Sequence, residues 1–286
     1  MVKVSIYLEL LIFYLIFLGM ALFIPGSEIN EVIKIILTVT SFLFAILLGF
    51  ATADRRKRLD VLRTTLRNDD AKLIGIYESS KVFDKSVTDK IRKLIDDYLV
   101  IQLDYKLVDY NRSSPPLLKL YDFIIRLETK NKLEEVAKGH MLSNIQDSMK
   151  NQKEVIYAAT DGMMFFEWIV LILLTGIILF CLTYLNTDEL FSIVVIPIID
   201  LSLIVLLLIL RDLNNLEWQE DKWIWVPLTD LFTELDLRPY INKADLPKRN
   251  LKVNKIMKGV KEYRLVTFPH KYPDMSGKKI EIVKVV

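Results

Sequence analysis

Val32-Ile33-Lys34-Ile35-Ile36-Leu37-Thr38-Val39-Thr40-Ser41-Phe42-Leu43-Phe44-Ala45-Ile46-Leu47-Leu48-Gly49-Phe50-Ala51-Thr52-Ala53-Asp54-Arg55-Arg56-Lys57-Arg58 is the stretch on which the fold turns. From Val32 to Ala51 its one charge is Lys34. At Asp54 the character changes at once to a charged cluster. A helix needs about 20 apolar residues to cross a hydrocarbon core of ~30 Å, and a cationic terminus marks where such a span leaves the lipid. Three more blocks have the same character: Val4–Ile24 with Ser5 and Glu9, Met163–Leu185 with Glu167, and Leu190–Leu210 with Asp200. None shows the polar face of a surface helix. Four wholly buried helices of a soluble core are the competing account, and so many in one chain of 286 residues argue against it. A cleaved leader does not suit the first block, because the apolar run is too long and Ile24-Pro25-Gly26 makes a poor cleavage site.

Composition agrees. The chain is 52% apolar and 26% charged, with a mean hydropathy of +0.31. Those values coexist only when apolar residues are gathered into blocks. Nine Gly and nine Pro exclude collagen-like and Gly/Pro-rich disordered classes, and one Cys excludes a disulfide scaffold or zinc ribbon. A net charge of +2 lacks the basic bias of a nucleic-acid binder, so no nucleic-acid partner is expected.

The expected fold class is an all-α integral membrane protein. It has four transmembrane helices, a helical cytoplasmic domain and a short basic C-terminal tail with strand-like alternation. The boundaries are 1–53 for a first hairpin (spans 4–24 and 32–52), 54–162 for a cytoplasmic helical region, 163–211 for a second hairpin (spans 163–185 and 190–210), and 212–286 for a cytoplasmic C-terminal region. Orientation follows the short-loop cations. Arg55, Arg56, Lys57, Arg58, Lys150, Lys153 and Arg211 flank one set of span ends, and neither Pro25–Glu31 nor Leu185–Glu189 holds a Lys or Arg. Both hairpins therefore face outside and both termini face the cytoplasm. Tyr7, Trp168, Tyr184 and Trp218 stand near block ends, where aromatic belts belong.

Between the hairpins, Leu59, Leu62 and Leu66, and again Ile91, Leu94 and Tyr98, follow helical spacing. Ser86 with Asp89 reads as a weak capping box, and Asn111 to Pro116 as a break. A further helical stretch runs from about Leu117 to Thr160, interrupted near Gly139. These helices extend the spans into an intracellular bundle. Further on, Thr229 could cap a short helix carrying Leu231, Phe232 and Leu235. Tyr263–Phe268 and Lys279–Val286 alternate like strands within a basic tail. That tail is either a solvated surface packing on the bundle or an attractor of anionic headgroups or anions.

Asp200 lies near the middle of the fourth span, roughly 15 Å from either end. Pro197, one turn earlier, leaves the Ile193 carbonyl without its helical partner, and Ser202 adds a polar group. An ion or proton site and a carboxyl bonded to a neighbouring helix are both open readings. Glu9 and Glu167, one to two turns inside their spans, either form register-setting salt bridges or charge an inner pore mouth with Arg55, Arg56 and Arg211. The second span carries two stripes. Thr38, Ser41, Ala45, Gly49 and Thr52 are small; Phe42, Ile46 and Phe50 are bulky. Helix packing is the simpler reading of each, and a dewetting constriction is the sharper reading of the second. Catalysis has no support. Cys181 lies within a span with no nearby His, His140 and His270 are too few for a metal site, and no Gly-rich phosphate loop exists. No cofactor is expected.

Ser41-Phe42-Leu43-Phe44-Ala45-Ile46-Leu47-Leu48-Gly49-Phe50, followed at once by a charged helix, resembles the bestrophin-like membrane proteins of prokaryotes. The layout is similar over most of the chain, through Asp70-Ala71-Lys72-Leu73, Ile91-Arg92-Lys93-Leu94-Ile95-Asp96-Asp97-Tyr98 and Trp225-Val226-Pro227-Leu228. Where the family usually has Pro-Phe-x-Gly after the last span, this chain reads Asn215-Leu216-Glu217-Trp218. The resemblance implies four spans with both termini inside, and five subunits around a chloride-conducting pore. It also implies a narrow neck lined by the second span at Phe42, Ile46 and Phe50, with Gly49 between them and Thr38 on the same helix. It points to a prokaryotic plasma membrane, with copies of the chain, the bilayer and small inorganic ions as partners. Anions are favoured by the likeness and by Arg55, Arg56, Lys57 and Arg58; Glu9, Glu167 and Asp200 would favour cations or protons. A non-conducting scaffold or sensor acting through its cytoplasmic helices is the alternative, and a proton-coupled transporter, for which no internal repeat is visible, ranks below both.

Overall fold

A computed structural model describes residues 6–24, 30–187, 190–216, 226–243 and 260–284, without the side chains of Ile6, Tyr7, Glu9, Leu190, Phe191 and Val226. The Pro25 hairpin turn, the Glu9 and Tyr7 side chains, Trp218, Trp225 and residues 244–259 of the basic tail lie outside the described residues. The chain is mostly helical. It runs through α1 (Ile6–Phe23), α2 (Glu31–Ser80), α3 (Lys85–Asp104), a 3₁₀ helix (Leu107–Ser113), α4 (Ser114–Ile125), α5 (Lys132–Thr160), α6 (Phe165–Tyr184), α7 (Leu190–Asn214) and α8 (Val226–Glu234), then β1 (Tyr240–Asn242), β2 (Glu262–Thr267) and β3 (Lys279–Lys284). Among the described residues, three helical runs are long and apolar enough to cross a membrane: α2, the run ending at Tyr184, and the one ending at Asn214. The apolar stretch of α1, Leu10–Phe23, is shorter.

Two compact units result: Met1–Leu59 with Gly162–Trp218, and Asp60–Asp161 with Gln219–Val286. In the first, Phe44 and Leu48 of α2 pack with Leu171, Leu174 and Ile178 of α6 and Leu210 of α7. Helix α1 lies against α7, with Phe17 and Ala21 buried. The Asn186 amide donates to the Ala21 carbonyl at 2.9 Å and ties the end of α6 to α1.

In the second unit, Leu73, Ile76 and Tyr77 of α2 meet Ile91, Leu94, Ile95, Tyr98 and Leu99 of α3, Leu117, Leu120 and Ile124 of α4, and Met141 and Ile145 of α5. Each buried aliphatic side chain contributes roughly 1.5–3 kcal/mol. Leu231, Phe232 and Leu235 of α8, Tyr240 of β1 and Val266 of β2 complete this core. The sheet has order β1-β2-β3, with β1 parallel to β2 and β2 antiparallel to β3.

Several local expectations are corrected. The interruption near Gly139 does not occur; Gly139 lies inside α5, and the chain breaks between α4 and α5 at residues 126–131. Asn131 starts α5 by accepting from the Glu134 N–H at 2.9 Å, while Glu134 accepts from the Lys130 N–H at 2.7 Å. Asn111 to Pro116 does hold a boundary, at Ser113–Ser114, but with helix on both sides of it. The 3₁₀ helix runs into α4, whose first turn holds both prolines, where missing N–H donors cost nothing. Ser86 is not a cap, because α3 starts at Lys85 and Asp89 pairs with Arg92 at 2.9 Å. Thr229 lies within α8 rather than capping it. The two strands expected in the tail are β2 and β3, and β1, which was not expected, joins them in one three-stranded sheet.

Candidate functional site

Helix α2 forms because its first half is a continuous apolar run without proline and its second half alternates charge with leucine. At about 100° per residue, Leu37, Phe44, Leu48 and Ala51 share one face, and that face carries the packing with α6 and α7. Phe42, Ile46 and Phe50 point roughly the opposite way and are 66%, 39% and 70% exposed. Thr38, Ala45 and Gly49 are exposed too, and Ser41 and Thr52 half-buried. A Cβ on Gly49 would meet nothing within 4 Å. Neither stripe is therefore the packing face among the described residues. The Thr38 hydroxyl donates back to the Lys34 carbonyl at 2.8 Å, which satisfies it on an apolar surface.

The charged cluster after the apolar half of α2 divides by face. Arg55 and Arg58 are buried, at 6% and 8% exposure, while Arg56 and Lys57 are exposed. Arg55 bonds Asp54. Arg58 donates to the Asn214 carbonyl at 2.7 Å, at the C-terminus of α7, where a cation meets both free carbonyls and the negative end of the helix. The Asn214 side chain in turn accepts from the Met163 N–H at 2.8 Å, just ahead of α6. Asn214 thus joins three helices of this unit. It stands one residue before Asn215-Leu216, where Leu216 takes a positive φ of 59°. Sequence reading passed over it because a lone Asn after a span carries no motif.

Glu167 is the N3 residue of α6 and accepts from the Met164 N–H at 2.8 Å. It caps a helix; no salt bridge to it is seen among the described residues. Arg211 is exposed and pairs with Asp212 at 3.1 Å. Asp200 is 2% exposed, and its Oδ1 has no hydrogen-bond partner among the described residues. The Ser202 hydroxyl donates to the Ile198 carbonyl at 2.7 Å and so is already engaged.

The second unit holds polar clusters of its own. Arg264 of β2 makes two bonds to Asp96 of α3, at 2.6 and 2.7 Å, and stacks over Phe232 and Tyr240. Lys278 and the Tyr240 hydroxyl both bond Asp104. Two tail cations are therefore spent holding the sheet on α3. Deeper in, Asp69 is 3% exposed and accepts from the Tyr98 hydroxyl at 3.1 Å. Gln102 donates to the Tyr110 hydroxyl, and Gln152 donates to Ser113 at 2.8 Å. Burial pushes the Asp69 carboxyl up to about 6, with the dipoles of Ser148, Tyr98 and Gln102 pulling back. Burial and the Asp69 charge push Asp70 up to about 8, against Arg67. Burial also raises the Tyr98 and Tyr110 phenols well above their ordinary range. Asp69 had a legible signal: Leu59, Leu62, Leu66, Asp69, Leu73 and Ile76 are spaced by three and four, so a carboxylate falls on the core stripe.

Three helical runs long and apolar enough to cross a membrane, in a chain that also folds a charged helical bundle, support a helical membrane protein. The model of the bestrophin-like domain matches residues 6–215, and the chain belongs to the bestrophin-like family. No curated protein and no solved structure matches it.

Proposed function

We propose that the chain is a homo-oligomeric ion channel in which copies of α2 surround the conduction axis and Phe42, Ile46 and Phe50 form an apolar neck. One observation carries this reading: α2 leaves its bulkiest apolar face uncovered while the opposite face is packed. Cyclic symmetry turns such a face into a ring, and a ring of Phe and Ile gates by expelling water. Family membership supports the channel class. On this reading α1, the first half of α2, α6 and α7 cross the bilayer, both termini and the charged bundle lie in the cytoplasm, and five subunits assemble, as the family likeness implies. Thr38 and Gly49 flank the neck. Arg56 and Lys57, free of the contacts that hold Arg55 and Arg58, charge the inner mouth and favour anions. Asp200 belongs to the protomer interior and Glu167 to helix capping, so neither is assigned to conduction.

Ion flux into liposomes holding the purified chain tests the proposal. Replacing Phe42, Ile46 and Phe50 with Ala widens and wets the neck, and flux is expected to rise. Equal flux in the triple variant removes the neck. Wild-type liposomes without flux to any small ion, together with a stoichiometric soluble partner on the charged bundle, would replace the channel with the scaffold reading.

A further inference from the structure

Asp69 and Asp70 are consecutive, so α2 turns them about 100° apart, and each meets a different environment. Asp69 points into the bundle among hydroxyls and amides. From α3 it faces Tyr98 and Gln102, from the 3₁₀ helix Tyr110, and from α5 Ser148. The Ser148 hydroxyl is close enough to act on the Asp69 carboxyl, yet neither it nor the Asp69 Oδ1 completes a well-formed hydrogen bond among the described residues. Asp70 is half-buried. Glu234 of α8 acts on it as a like charge, and Arg67 on α2 is the cation that opposes. The charged group of α5 bonded to this part of α2, Asp147, is taken by Lys72 at 2.6 Å. Three carboxyls thus converge with one exposed arginine to balance them.

A buried carboxylate accepts hydrogen bonds and offers none; protonated, it gains a donor for its orphaned surroundings and loses its repulsion from its neighbours. We propose that the Asp69–Asp70 pair is a proton-binding site in the charged bundle, built so that proton occupancy sets how tightly the second half of α2 is held. The burial shifts already described put the two carboxyls on either side of neutrality. The link to conduction rests on the channel reading: α2 is one uninterrupted helix from Glu31 to Ser80, so the segment bearing the pair also bears Phe42, Ile46 and Phe50.

The sign is fixed by linkage. Both carboxyls lie above their ordinary 3.8 in the folded protein. The folded chain therefore holds more protons than the unfolded one between that value and the folded values. The stabilisation is complete at low pH and is lost as pH rises through about 6 and then about 8.

The test compares the full-length chain in detergent with Asp70→Asn, Asp69→Asn and the double variant, by melting temperature at about pH 5.5 and about pH 8.5. The wild type is expected to melt roughly 5 °C lower at the higher pH, with most of that difference gone in the double variant and its upper part gone in Asp70→Asn. An undiminished difference in both variants overturns the proposal. Should the double variant not fold, infrared difference spectra decide with wild type and Asp70→Asn. The carbonyl stretch of a protonated carboxyl should be present at the lower pH and reduced in the variant; an identical band overturns the site. Liposome flux that changes with pH in wild type but not in Asp70→Asn supports the coupling to α2. Equal pH dependence in both overturns that coupling. Absence of any flux removes the channel reading and leaves melting and infrared to judge the proton site.

Discussion

Asn214 illustrates how much a single polar residue holds at the end of a long apolar helix. Its side-chain oxygen satisfies the Met163 N–H at 2.8 Å, ahead of α6, where no helical partner exists. Its carbonyl receives Arg58. Truncating the side chain strands a half-buried N–H, which costs about 1–2 kcal/mol. Asn214→Ala should therefore lower the melting temperature by a few degrees, whereas Asn214→Asp, which keeps an acceptor at the same reach, should recover most of the loss. Equal losses in both would show that the amide's donor side, and not its oxygen, matters. The same attention to pairing separates the residues of the basic cluster. Arg55 and Arg58 are structural because they share the face of α2 that packs, and Arg56 and Lys57 are turned away from it.

At the scale of elements, the C-terminal sheet stays on α3 through a few charged contacts and a small apolar patch. Arg264 is the centre of that contact, with two bonds to Asp96, one to the Arg238 carbonyl at 3.0 Å, and its guanidinium over the rings of Phe232 and Tyr240. The pair is partly exposed, so its loss is screened, and Arg264→Ala is expected to cost about 2 kcal/mol. Arg264→Lys should recover less than half of this, because an ammonium cannot make the two-pronged bond or lie flat on the rings. Denaturant midpoints of the three proteins measure it; full rescue by Lys would reduce the contact to simple charge pairing.

Much of the element layout was legible. Three of the four apolar blocks fall on helical runs long enough to cross a membrane, while that of α1, Leu10–Phe23, is shorter, and alternation in Tyr263–Phe268 and Lys279–Val286 marked β2 and β3. β1 escaped because three residues cannot show a period, and its partner is a parallel strand far along the chain. The α4–α5 break escaped because it holds neither Gly nor Pro; its signal was Asn131 three residues ahead of Glu134. Gly139 misled because an exposed glycine inside a helix costs stability without breaking the helix. Of the site, the stripe of Phe42, Ile46 and Phe50 was legible as a stripe, but which face packs depends on α6 and α7, which no local pattern encodes.

At the scale of the whole molecule, the question is what covers the outer face of α2. Lipid, a neighbouring subunit and a water-lined axis are three answers, and they respond differently to one charge. Ile46 is at the centre of the stripe, 39% exposed. A lysine facing acyl chains in the middle of a span costs about 2.5–3.5 kcal/mol in insertion, and a lysine buried against a neighbouring subunit leaves an unpaired charge that breaks assembly. A lysine facing an axis is hydrated, relieves the dewetting of the neck and places a ring of cations in the path of permeating ions. Ile46→Lys is thus expected to purify in the membrane fraction with the wild-type oligomer mass, to conduct more, and to shift reversal potentials toward anion selectivity. Loss of insertion would assign this face to lipid. Dissociation into monomers that still insert would assign it to a subunit contact. Only an intact, leakier and more anion-selective oligomer is compatible with a neck built from Phe42, Ile46 and Phe50.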